Sequence, residues 1–187
     1  MKKAVLIASF LCLTECSFAM NSNHQMNSEC NKDSALNFKE HKFWAACFNT
    51  RGCRVEYADF LDIDDGDEKV SPPPPQDLLK KMRGVRVGIK NFPQPAQITW
   101  RSLDGKENSA SIDMARIFAN ECVMHEVPSE VIARDVRMGM PSIILIVNDR
   151  DISVYMKTLV PIRSKSNPKF PNAAVVWQTV LAHREAV

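Results

Sequence analysis

Glycine is scarce in this chain, with six in 187 residues, and none falls in the close-set pattern that cradles a phosphate. Catalytic signatures are missing too. No serine stands in a G-x-S-x-G elbow, which excludes the usual strand-to-helix nucleophile of α/β hydrolases. His125-Glu126 opens like the zinc-protease motif H-E-x-x-H, but the fifth position is Ser129, so the second ligand is absent. There is no C-x-x-C pair, and none of His24, His41, His125 and His183 lies at ligand spacing from a cysteine, so no metal site is read from spacing. Basic residues are interspersed with acidic ones instead of forming a stripe with aromatics, and the footprint of a nucleic-acid binder is therefore lacking. No apolar run reaches the roughly 20 residues that span a bilayer. These absences point to a non-enzymatic domain that needs no cofactor and has no transmembrane segment.

What is present starts with a leader. Met1 to Ala19 has a basic start at Lys2 and Lys3, an apolar run from Ala4 to Leu13, and a small-x-small site at Ser17-Phe18-Ala19. That is the pattern of a cleaved secretory signal peptide, and it directs the product to the periplasm. A lipid anchor with membrane association is the weaker reading, because Cys16 follows Glu15 and Cys12 follows Leu11 where processing needs a small residue. Losing Lys2, Lys3 and Glu15 takes the formal charge from +2 to +1.

Cys30, Cys47, Cys53 and Cys122 lie beyond the leader, and four cysteines in an oxidising compartment suggest two disulfides. Spacing favours Cys47 with Cys53 and leaves Cys30 for Cys122, although four cysteines allow three connectivities. With its thiols paired, the chain has none left for Cys-His catalysis.

Residues 20–40 begin with an Asn- and Ser-rich stretch without periodicity and read as a flexible lead-in to a single β-rich domain over 41–187. Lys42–Phe48 and Arg54–Ile63 read as the two strands of a hairpin closed by its own disulfide. Asp62 to Glu68 (DIDDGDE) fails the calcium-loop test, since Gly66 as sixth residue puts Leu61 at the first ligand position, and it reads as an acidic solvated turn. A proline spacer, Pro72–Pro75, leads to a short helix over Gln76–Arg83 and a strand at Val85–Ile89. Asp104-Gly105 centres a second hairpin that runs into a short helix capped by Asp113. Val131–Met138 suggests a further strand. Ile143–Val147 is apolar on both faces and pairs with the alternating Ile152–Lys157 across Asn148–Asp151, Pro161 and Pro168 frame a loop, and Ala173–Leu181 is the last strand with Trp177 as a core filler. Eight or nine short strands and two short helices joined by turns give a mainly β (α+β) fold: an antiparallel β-sandwich or curled sheet with one or two short helices.

Several of these segments resemble the domain of unknown function 2931 family of exported bacterial proteins, many of them lipoproteins. They are Trp44, VEYADFLD at Val55–Asp62, ITWRSL at Ile98–Leu103, the SIDMARIF helix, and the late strands with ISVYM and VVW. The chain departs from the family pattern in two features: it lacks a fitting lipid-attachment cysteine, and the glycine-rich turn before the late strands is reduced to Gly139-Met140-Pro141. Members of such families are often encoded beside effectors of type VI secretion, lipases among them, and look like their immunity proteins. The resemblance therefore implies a protein partner, a secreted toxic effector. The exposed charged turns are the expected contacts: Asp62, Asp64, Asp65, Asp67 and Glu68; Asp104, Lys106 and Glu107; Asp149 and Arg150. A structural envelope protein, or a carrier with an apolar pocket, is the alternative.

Overall fold

The computed structural model describes residues 36–133, 139–163 and 174–187. The leader, Cys30, Pro168 and the first part of the lead-in lie outside the described residues. Among those described, nine strands form two packed sheets. One sheet has the order β4 (Arg86–Lys90), β1 (Glu40–Phe48), β7 (Ser142–Asn148), β8 (Asp151–Ile162) and β9 (Ala174–Ala186). The other has the order β3 (Phe60–Asp64), β2 (Arg51–Tyr57), β5 (Ala96–Arg101) and β6 (Glu107–Ile112). Neighbours are antiparallel except β1 and β7, whose long connection contains the entire smaller sheet and so leaves room for parallel pairing. The expected sandwich with two short helices, α1 (Leu78–Lys81) and α2 (Met114–Ile117), is what forms.

Strand alternation builds the core. In β5, Ala96, Ile98 and Trp100 are buried while Gln97 and Thr99 are exposed, the period of two expected of a half-buried strand. They meet Phe43, Ala45 and Cys47 of β1, Ile143, Leu145 and Val147 of β7, and Ile152, Val154 and Met156 of β8. β7 is buried on both faces because Ile144 and Ile146 pack with Leu78 and Met82, which cover the sheet from outside. The Asp113 carboxylate accepts from the Arg116 backbone N–H at 3.1 Å, as expected of the α2 cap, and Met114 and Phe118 anchor that helix in the core.

The chain departs from the expected plan at several points. β1 and β2 are not a hairpin: they lie in opposite sheets, Asn49 (φ 51°) and Gly52 (φ 56°) turn the chain across, and Cys47–Cys53 joins the two layers with Cα atoms 6.4 Å apart. Arg54–Ile63 is two strands, not one. Ala58 and Asp59, both at positive φ (52° and 57°), reverse it without the usual glycine, so its residue types conceal the turn. Around Val131 the chain makes a single 3-10 turn, Ser129–Val131, and one bridge from Ile132 to Ile162; residues 134–138 are outside the described set. Pro161 does not open a loop but lies inside β8. Its carbonyl accepts from Ala133, so its missing N–H points to the same side, where β7 no longer runs. Trp177 is 58% exposed, because β9 is an edge strand beyond the cover of α1. The packed structure also reaches further back than residue 41: Phe38 is buried, and residues 36–38 run beside 121–123 through a bridge between Asn37 and Cys122.

Candidate functional site

Three charged segments far apart in sequence meet at one end of the sandwich. The first is a strap, residues 65–71, laid along the start of β2: Asp65 N donates to Cys53 O at 2.9 Å, Gly52 N to Lys69 O at 3.1 Å, and Ser71 N to Thr50 O at 2.8 Å. The second is the β5–β6 turn, where Gly105 (φ 85°) allows the reversal. There Asp104 accepts from Ser102 Oγ at 2.6 Å and from Lys106 N at 3.1 Å, and these bonds hold its carboxyl below the usual carboxylate range. The third is the β7–β8 turn, whose Asp149 (φ 53°) accepts from the Leu103 N–H at 2.8 Å through Oδ1 and from Trp100 Nε1 at 2.6 Å through its carbonyl. Arg150 stands 3.8 Å from Asp104 across the same gap.

Two arginines lie between these turns. Arg51 and Arg101 are register partners on β2 and β5, and both line a pair of open grooves of about 350 and 330 Å³. Asp67, Thr99, Glu107 and Ser109 complete the first groove; Val70, Leu103 and Asp104 border the second. Arg51 faces Glu68 at 3.5 Å and Arg101 faces Glu107 at 3.9 Å, long contacts to solvated carboxylates that hold the guanidiniums only loosely. Leu103 (64% exposed) and Val70 (54%) place apolar surface inside this polar rim. The grooves are open to solvent and bordered by charge, a lining unlike the mostly apolar walls of a pocket for a small apolar ligand.

The charged residues expected as contacts are thus divided. Asp67, Glu68, Asp104, Lys106, Glu107, Asp149 and Arg150 belong to this end. Asp65 turns in to bond Lys69 and Ser71 and secures the strap. Asp64 lies on β3 facing Arg54 at 3.4 Å. Asp62 is mostly buried, in a two-pronged pair with Arg86 at 2.9 and 3.2 Å, and burial raises its carboxyl pKa against the pull of that guanidinium. Arg51, Arg101, Val70 and Leu103 were not among the expected contacts; the available signal was Leu103, a large apolar residue next to Asp104-Gly105.

A second polar cluster is centred on the buried side chains of His41 and Tyr57. Asn91 Nδ2 donates to Phe38 O at 2.8 Å, so its Oδ1 accepts from His41 Nδ1–H at 2.9 Å. His41 Nε2 then accepts from the Tyr57 hydroxyl at 3.0 Å. His41 is fully buried, and desolvation lowers its pKa while raising that of Tyr57. With Arg86 donating to Tyr57 O at 2.8 Å, the cluster ties β1 and β4 to β2 and β3. It holds the two sheets together.

The two-layer architecture defines a β-sandwich-like protein. Compared with protein-family models, curated proteins and solved structures, the chain matches none of them.

Proposed function

We propose that this is a non-enzymatic periplasmic binding protein, an immunity protein that binds and neutralises a co-encoded type VI secretion effector, with a lipase as one candidate. The resemblance to the domain of unknown function 2931 family supplies the partner class. The convergence of the strap, the β5–β6 turn and the β7–β8 turn around Arg51, Arg101 and Leu103 is the observation that carries it. That end has the composition of a contact surface: two loosely held arginines, exposed apolar side chains and a rim of both charges. Mixed charge arranged in turns favours recognition by complementarity, which also speeds encounter.

Co-export tests the reading. A toxin encoded beside this gene is sent to the periplasm of a bacterial host alone or together with this protein. Survival only with the protein present, and a stoichiometric complex on purification, is the expected result. Toxicity unchanged by co-export, with no complex formed, counts against it and favours a structural envelope role.

A further inference from the structure

Strand β9 carries apolar side chains that the core does not use. Register sets Trp177 opposite Leu159 and Leu181 opposite Tyr155; Tyr155 lies opposite Ile144, and Ile144 opposite Trp44. Alternation therefore puts Val175, Trp177 and Leu181 on the outer face of the five-stranded sheet, the face that Leu78 and Met82 cover nearer its centre. That cover stops before β9, and Val175, Trp177 and Leu181 are 56%, 58% and 47% exposed.

Lys157 fixes how this strip meets α1. Its ammonium donates to the carbonyls of Leu79 (2.9 Å) and Lys80 (2.8 Å) and stands 5.6 Å from the centroid of the Trp177 ring. Leu79, itself 40% exposed, thus extends the apolar strip onto the helix. Positive charge borders it. Lys80, Lys81 and Arg83 are exposed, and the charge of Arg83, after burial, helps hold the Lys157 ammonium below the usual lysine range. Among the described residues of α1 and β9, the acids are already engaged: Asp77 with Lys81 at 2.8 Å, and Glu185 with His183 at 2.9 Å at the far end of β9.

A tryptophan and aliphatic side chains beside exposed cations, Lys80 and Arg83 with no acidic partner among the described residues and Lys81 shared with Asp77, match the boundary between the headgroups and acyl chains of an anionic bilayer. The core of a protein interface, by contrast, is depleted in lysine. We propose that this face docks on an anionic membrane surface, with Val175, Trp177, Leu181 and Leu79 entering the headgroup layer and Lys80, Lys81 and Arg83 meeting the lipid phosphates. The opposite signs of protein and lipid select this occupant. The loop end plays no part in it, so membrane docking and effector binding stand or fall separately.

The test uses the exported protein, purified from the periplasm, and vesicles of phosphatidylcholine with or without phosphatidylglycerol as roughly a third of the lipid. Co-sedimentation should occur with the anionic vesicles and weaken as salt rises, with a blue shift of tryptophan emission on binding. W177S/L181S and K80E/K81E should each weaken binding about tenfold, while circular dichroism and melting temperature stay near wild type. Three outcomes overturn the proposal: no binding to anionic vesicles, equal binding by wild type and folded W177S/L181S, or loss in that variant of self-association or protein binding alone, which assigns the face to a protein.

Discussion

His41 is the residue whose chemistry most directly sets a solution property. Its folded-state pKa is lowered, so the unfolded chain binds a proton more readily than the folded one. The stability His41 contributes is complete above its ordinary value of 6.5 and declines as pH falls from there toward the depressed folded value. The slope in that window is at most about 1.4 kcal/mol per pH unit for one proton. Protonation also places a second donor against the Tyr57 hydroxyl, near the Arg86 charge. Asp62 acts in the opposite sense, since a raised carboxyl pKa favours the folded state on acidification, and its window lies lower, around the ordinary carboxylate range. Urea unfolding of wild type should therefore lose stability between pH 7 and 5, and His41→Gln should be less stable overall but flatter there. An equal slope in both proteins would assign the loss to another group. Removing the Asp62 carboxylate leaves the mostly buried Arg86 without its partner, and D62A should cost about 3 kcal/mol, with the double variant D62A/R86M recovering part of it. Chemical denaturation reads both, and a D62A cost under about 0.5 kcal/mol would place the pair among solvated surface contacts.

At the scale of elements, Cys47–Cys53 ties β1 to β2 across two layers that share no backbone ladder. Its short loop gives about 2 kcal/mol in the chain-entropy account, so C47A/C53A should lower the melting temperature by about 5 °C. Because the bond crosses the sandwich, hydrogen exchange should quicken in both β1 and β2. Faster exchange confined to the connection between them would mean that the bond acts only locally. The strands themselves were largely legible. β5, β6, β7 and β8 announce themselves by alternation or by a doubly apolar run, and the cap at Asp113 by its residue type. What could not be read was pairing between distant segments. A cysteine pair at short spacing looks the same closing a hairpin or bridging two sheets, and Ala58-Asp59 adopts a left-handed turn that its side chains do not advertise. Trp177 shows the converse limit: alternation assigns it a face, but only the extent of α1 decides whether that face is covered.

For the whole molecule, the sandwich brings turns separated by dozens of residues to one end, and this is the part of the candidate site that sequence could only list. Asp104, Lys106, Glu107, Asp149 and Arg150 could be picked out as exposed turn residues, yet nothing in their order showed that Arg51 and Arg101 would lie between them as register partners. The run Asp62–Glu68 looked like one acidic surface and is divided by folding into a mostly buried ion pair at Asp62, an exposed pair of Asp64 with Arg54, a strap anchor at Asp65, a groove residue at Asp67 and, at Glu68, a partner of Arg51. Substitutions within it should therefore separate. D62A should act on stability, whereas D67A/E68A should leave melting unchanged and lower partner affinity, as read by calorimetry on the purified complex.

The most direct measurement is affinity capture from extract of the source cells, with the wild-type protein and a folded R101E/L103D variant compared side by side. Wild type should retain one stoichiometric partner that is toxic when exported alone, and the variant should bind it about 100-fold more weakly, a loss of the size expected for central contact residues. Equal capture by both proteins would show that the partner docks elsewhere, and the account of the loop end as the binding surface would then be wrong.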